Sequence, residues 1–338
     1  MIEFGITLRP YPPPERIVEL MLMAEAQNFS YGWLFDSHVL WMDPYPLLTL
    51  MAVNTTSLRL GTCVTNPGTR DPSITASTFA TLQAISGGRM IMGIGRGDSA
   101  LRVMGKQPVS LTVMENAIQE IRTLVSGEAT HLNEQAIQLK WARSHLPIFV
   151  AAYGPKALRL AGHVGDGVVL QYADPHLIKW SLNFVREGCE EAGRDWSQFH
   201  IMCATAGYVS NDLEYARSQV RWFPALVSNH VIELLSRYPA TDLPAELTSY
   251  VRQRSGYDYQ EHCQVGASHA EFVTDEVVDR FCVIGTAEQC RQRIRELAAI
   301  GVNEFNLYLM AEDQERLLEI YGREIIPEFC NVQVRPRT

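Results

Sequence analysis

The sequence predicts a (β/α)8 barrel, and three observations carry that expectation. Short runs rich in β-branched and aromatic residues alternate with longer stretches of helical period. Eight strand–helix pairs fit into 338 residues, the count and length of one barrel domain spanning 1–338. Runs such as LPIFVAA at 146–152 are apolar in succession rather than alternating, as parallel strands covered on both faces are.

In chain order the strands are expected at 2–8, 31–35, 59–64, 90–94, 147–151, 167–170, 200–209 and 303–309. Helices are expected at about 14–28, 46–56, 72–86, 109–126, 155–164, 175–192, 211–236 and 286–300, with a last one at 312–326. Ser86-Gly87-Gly88-Arg89 stops the third helix, because glycine takes the left-handed C-cap conformation cheaply. Thr286 opens the eighth by accepting from first-turn amides, and Glu288 suits its positive end. Gly301 closes that helix before the last strand. Two segments break the repeat. Residues 130–146 read as a hairpin insertion, and 230–280 as a long insertion expected to form a lid over the barrel mouth.

Composition narrows the function. A chain that is 46% apolar and 20% charged builds a sizeable core, which excludes disorder. Its 29 basic and 38 acidic residues give a net charge of -9, and no basic patch offsets it, so no nucleic-acid partner is expected. The seven cysteines, at 63, 189, 203, 263, 282, 290 and 330, form no Cys-x-x-Cys, which fits reduced thiols in a cytoplasmic protein. The opening MIEFGITL alternates like a strand rather than reading as a signal peptide, and no apolar run approaches a membrane span.

A barrel of this kind builds its active site from the loops after its strands. Asp36-Ser37-His38 follow the second strand, Thr65-Asn66-Pro67-Gly68 the third, Gly95-Arg96-Gly97-Asp98 the fourth, Tyr153-Gly154-Pro155-Lys156 the fifth and Gln171-Tyr172 the sixth. Asp36 and His38 form a candidate acid/base pair, or else a loop cap and a solvated histidine. Gly154, Pro155 and Lys156 open a helix whose free amides suit a phosphate, or mark an ordinary helix start. The run GIGRGD at 93–98 is not a dinucleotide fingerprint, since it follows the fourth strand and lacks the third glycine. Its glycines are expected to leave room for a planar ligand, with Asp98 capping the next segment of chain. His262, Cys263 and His269 match no common metal-ligand spacing, and no metal is expected. Trp33, Trp41, Tyr45, Tyr172, Trp222 and Phe223 either line an apolar pocket or belong to the core.

Four segments in order, GTCVTNPGTRDP (61–72), GRMIMGIGRGD (88–98), YGPKALRLAGHVGDGVVL (153–170) and VIGTAEQCRQRIRELAAIGVNEFNLYL (283–309), resemble the bacterial luciferase-like superfamily. The likeness is to its coenzyme F420-dependent branch, typified by methylenetetrahydromethanopterin reductase. The resemblance implies a deazaflavin ring at the barrel mouth, backed by a non-prolyl cis peptide at Cys63-Val64. It implies that Thr65 and Asn66 bind the ring's polar edge and that Gly154, Pro155 and Lys156 hold the cofactor phosphate. Gly95, Gly97, Tyr153 and Gln171 complete the implied cofactor set. Asp36 matches a position near the ring, and His38 falls close to a common histidine, although the order here is Asp-Ser-His. The implied reaction is hydride transfer between reduced F420 and a small organic substrate by a homodimer. Two alternatives are an FMN-dependent monooxygenase working through a flavin hydroperoxide and a cofactor-free binding barrel.

Overall fold

The structure, a computed structural model, describes residues 2–329. Cys330 lies outside that range. The strands are β1 (Glu3–Leu8), β2 (Tyr31–Leu34), β3 (Arg59–Thr65), β4 (Met90–Ile94), β5 (Ala129–Leu132), β6 (Gln135–Gln138), β7 (Ile148–Ala151), β8 (Gly167–Leu170), β9 (His200–Val209), β10 (Val283–Gly285) and β11 (Glu304–Tyr308). Parallel pairing runs β1-β2-β3-β4-β7-β8-β9-β11 and returns to β1, which closes an eight-stranded barrel with helices between its strands. The (β/α)8 expectation holds.

Local chemistry sets the helix ends. Asp71 accepts from the Ser73 amide at 2.8 Å to start Pro72–Ser86, and Gly87 ends it at φ 67. The helix Ala287–Ala299 opens with a capping box: the Thr286 hydroxyl accepts from the Gln289 amide, and the Gln289 side chain accepts from the Thr286 amide at 2.8 Å. Asp43 plays the same part for Pro44–Asn54, accepting from the Tyr45 amide.

Four elements differ from the sequence reading, among them the last helix, expected as one over 312–326, which is Gln314–Ile320 continued by a π-helical turn, Tyr321–Ile325, and by Ile326–Phe329. The single helix expected at 211–236 is three, Leu213–Val220, Trp222–Val231 and Leu234–Arg237. Pro224 sits in the first turn of the middle one, where a missing N–H costs no helical bond. Strand β10 has no counterpart among the expected strands. It arises because β8 pairs only with the first half of β9 (Gly167↔His200 to Leu170↔Cys203), which leaves the second half to pair with Val283–Gly285. A short helix, Asp98–Arg102, follows β4. The insertion at 130–146 does contain an antiparallel hairpin, β5–β6, turned at Asn133 and Glu134 with both φ positive (48 and 67), as a two-residue hairpin turn requires.

Core packing absorbs most of the aromatic residues. Trp33, Tyr45, Tyr172, Trp222 and Phe223 are all buried in it. Among the described residues no helix is long and apolar enough to cross a membrane.

Candidate active site

The C-terminal ends of the strands surround a cleft of about 1040 Å³, counting its open side. β3 builds its floor. The pairing of β3 with β4 shifts register between Thr62 and Thr65, and within that bulge the Cys63–Val64 peptide is cis, where the resemblance implied it. β4 makes room for the bulge. A Cβ on Gly93 would lie 2.1 Å from the Thr62 carbonyl oxygen, and one on Gly95 3.0 Å from a Val64 methyl. The glycines of GIGRGD therefore make room for the protein's own chain first, Gly93 for backbone and Gly95 and Gly97 for side chains, and only Gly95 and Gly97 also face the cleft. Gly97 takes φ +84, with the Asn66 side chain where its Cβ would be.

Asp36, at the end of β2, is 7% exposed. Its Oδ2 accepts from the Thr65 hydroxyl at 2.6 Å and the Tyr45 hydroxyl at 3.3 Å. Burial pushes its carboxyl above the ordinary range, with the Thr65 hydrogen bond pulling partly back. Asn66 is buried beside it: Oδ1 accepts from the Gly68 amide at 3.0 Å, while Nδ2 has no hydrogen-bond partner. Across the mouth Tyr153 donates to Gln171, whose amide donates to Tyr308, whose hydroxyl lies 3.5 Å from the Cys63 sulfur.

The opposite wall is charged. Asp98 lies 3.4 Å from His230 Nδ1 and 3.5 Å from the Arg102 guanidinium. Burial would raise Asp98, but His230, Arg96 and Arg102 outweigh it and hold the carboxyl below its ordinary range. His230 stacks on Tyr153 at 5.1 Å. His262 stacks on Trp41 at 5.5 Å and bonds to the Tyr257 hydroxyl, and burial drives its pKa down to about 3. Among the described residues no three His, Cys, Asp or Glu side chains converge as metal ligands would.

The structure thus gathers Asp36, Cys63, Val64, Asn66, Gly95, Gly97, Tyr153, Gly154 and Gln171 in one cleft. Thr65 stands behind the wall, holding Asp36. Pro155 is buried at the first turn of Pro155–Val164, and the Lys156 side chain points to solvent while its amide donates to the Tyr238 hydroxyl at 3.3 Å. His38 is exposed and outside the cleft, whereas Ser37 beside it lines the wall. Of the six candidate pocket aromatics, Trp41 alone lines the cleft. Sequence reasoning gave Asp98 only a capping role, which the structure does not show, placed His262 only in a rejected metal set, and did not name His230. Asp98 carried a signal in its position directly after a barrel strand; the two histidines reach the cleft from the far segment.

The luciferase-like monooxygenase family model matches residues 1–304. The chain belongs to that family. Among its luciferase-like relatives is the 5,10-methylenetetrahydromethanopterin reductase of Methanolobus tindarius, 31% identical over an alignment of 342 positions covering 96% of this chain and 99% of the relative. The F420-dependent glucose-6-phosphate dehydrogenase of Nakamurella multipartita is 25% identical, with 94% and 93% covered. The solved structure of the coenzyme F420-dependent tetrahydromethanopterin reductase from Methanopyrus kandleri matches with a TM-score of 0.78 at 25% identity, over 97% of this chain and 99% of that one.

Proposed function

We propose that this luciferase-like protein is an F420-dependent oxidoreductase that passes hydride to or from a small organic substrate at the barrel mouth. One observation carries the fit of the deazaflavin: the buried Asn66 offers an unpartnered Nδ2 donor in the same cleft as the bulge at Val64 and the bare backbone of Gly95. A flat ring with an acceptor edge would satisfy that donor, which is otherwise costly to bury. The names of the relatives support the same cofactor.

When bound, reduced F420 supplies a hydride, and the substrate carbon that takes it leaves a neighbouring heteroatom needing a proton. Two cleft carboxyls are pushed apart by their surroundings, Asp36 upward and Asp98 downward. In this reading Asp36 holds the proton and delivers it. Both hydrogen bonds to it end on Oδ2, which leaves Oδ1 as the oxygen that would carry the proton to the substrate. Asp98 stays ionised and orients His230. His38, exposed, takes no part. Val64 would back the ring, Tyr153 and Gln171 fix the cleft's far edge, and the helix start at Gly154, where the Lys156 amide now donates to the Tyr238 hydroxyl, would hold the cofactor's anionic end.

Residues 230–280 act as the lid, contributing His230, Leu234, Tyr238 and His262 to the cleft. The protein works as a homodimer through the helices Pro44–Asn54 and Pro72–Ser86, whose outer faces expose Leu50, Val53, Ile74 and Ile85.

The test is anaerobic titration with reduced F420 and, separately, reduced FMN, followed by admission of air. Binding of F420 without rapid oxygen uptake is expected. Rapid oxygen consumption with FMN alone would overturn the assignment in favour of a monooxygenase.

A further inference from the structure

Among the cleft residues contributed by 230–280, His262 alone is buried, at 5% exposed. Its two ring nitrogens have different surroundings. Nδ1 bonds to the Tyr257 hydroxyl. Among the described residues nothing bonds Nε2, yet Nε2 is not sealed in, unlike both ring nitrogens of the nearby His269, which are buried without a hydrogen bond. Because His262 lines the cleft, Nε2 is the nitrogen left to face it.

The Tyr257 bond decides which nitrogen carries the proton. A half-buried phenol needs an acceptor for its hydrogen, and Nδ1 is the only partner of this hydroxyl among the described residues. Tyr257 therefore donates to Nδ1, which leaves the ring proton on Nε2. Burial, with the His230, His269 and Arg9 charges adding to it, keeps the ring neutral. Trp41 stacks on the imidazole at 5.5 Å and on Phe35 at 5.2 Å, so the ring plane is held within reach of the Asp36 wall. The result is an oriented, uncharged N–H donor. The arginines of the cleft, by contrast, are already paired: Arg96 and Arg237 both meet Glu233, at 3.1 and 2.9 Å.

We propose that His262 is a specificity-determining residue whose Nε2–H holds the carbonyl oxygen of an uncharged substrate, with Tyr257 as the positioning residue that fixes its tautomer. This role rests on the F420 reading above. A carbonyl oxygen has two lone pairs to offer. As the carbonyl carbon takes hydride, the C=O pair moves onto oxygen and the deazaflavin is left oxidised. The His262 N–H meets the charge growing on that oxygen, and the Asp36 carboxyl supplies the proton that completes the alcohol.

Two measurements test this. Long-range proton–nitrogen NMR of histidine-labelled protein, without cofactor, reads the tautomer, the His262 signals being assigned by their loss in His262→Gln. The neutral Nε2–H form is expected, and Tyr257→Phe is expected to turn it into a mixture. A proton on Nδ1, or a charged ring at neutral pH, would overturn the role whatever the cofactor. Steady-state reduction then uses cyclohexanone as the uncharged probe and dihydroxyacetone phosphate as the charged one. His262→Phe keeps the stack and removes the donor, so kcat/KM for cyclohexanone is expected to fall about tenfold with F420 affinity unchanged in a fluorescence titration. His262→Gln restores a donor and is expected to recover most of that loss. Unchanged turnover in His262→Phe or equal losses in Phe and Gln overturn the proposal, as does wild-type protein that binds F420 yet prefers the phosphate or reduces neither probe. Wild-type protein that binds no F420 counts against the cofactor reading itself and takes the substrate role with it, a failure told apart by an Nε2–H signal that stays in place.

Discussion

The barrel hides a carboxylate at each end, and the two are kept in opposite ways. Glu304 starts β11 at the base and is fully buried. It accepts from the Trp33 indole at 2.8 Å and lies 3.1 Å from His200 Nε2, so each oxygen has a partner. Around it Arg59 grips Glu3 with two bonds of 2.9 and 3.0 Å while its guanidinium lies over the Tyr31 ring. Asp36 at the mouth has hydroxyls on one oxygen and the cleft before the other. A satisfied carboxylate holds a fold together; a half-satisfied one is available for chemistry. The contrast matches the division of labour in these barrels, with stability at the N-terminal face and reactivity at the C-terminal one.

The sharpest way to break the comparison is Glu304→Ala. It strands the Trp33 N–H and His200 in the base, at an expected cost of about 3–5 kcal/mol in urea unfolding, with cofactor affinity in the surviving folded protein unchanged. Glu304→Gln keeps an acceptor for the indole and should unfold close to wild type. If Ala and Gln cost the same, the base network is not what holds Glu304. Next comes Asp36→Asn at the mouth. Turnover with any substrate returned by an F420-coupled screen should fall by about a hundredfold or more, as loss of a general acid does, while stability stays level or rises. A stability loss without an activity loss would make Asp36 a second Glu304.

Element ends are more legible in the sequence than side-chain networks, at the base as at the mouth. Strand runs and helix caps are local signals, so Gly87 and Thr286 fall where the residue pattern puts them. The cleft's inner wall, from Asp36 to Gln171, is legible because every member follows a barrel strand. What escapes depends on distance in the chain. His230 reaches Asp98 across more than a hundred residues, and no local pattern announces that pairing. His38 and Ser37 are neighbours in a turn, and only coordinates tell which faces in. β10 is three residues long, below what periodicity can reveal, and exists because β9 outruns β8.

Gly93 within β4 and Gly95 just past its end extend the comparison over three residues of chain. Gly93→Ala drives a methyl to 2.1 Å of the Thr62 carbonyl oxygen, backbone that cannot step aside. It is expected to cost about 1–3 kcal/mol of stability, read by thermal or urea unfolding. Gly95→Ala meets only the Val64 methyl at 3.0 Å and the Ala151 Cβ at 3.6 Å, so stability should change less. Its methyl faces the cleft and should weaken F420 by about tenfold, or ~1.4 kcal/mol, in a fluorescence titration. Equal effects of the two variants on stability and on binding would dissolve the distinction between the glycine that houses the bulge and the glycine that admits the ring.

The smallest effect separates the two cleft carboxyls by the sign of their pH dependence. Asp36 is raised above its ordinary 3.8, mainly by burial, so ionising it costs the folded state. Its contribution to stability is fully present below the unfolded value and is lost as pH rises through the folded one. Asp98 is lowered from 3.8, His230 and the two arginines overcoming its burial. Its contribution is present above the unfolded value and is lost as pH falls through the folded one. Asp36→Asn should therefore gain on wild type as pH climbs from acid to neutral. Asp98→Asn should lose at neutral pH and draw level in acid. Urea midpoints taken across that range read both differences, and slopes of the same sign would mean that the two carboxyls share one environment and cannot divide the roles of acid and anion between them.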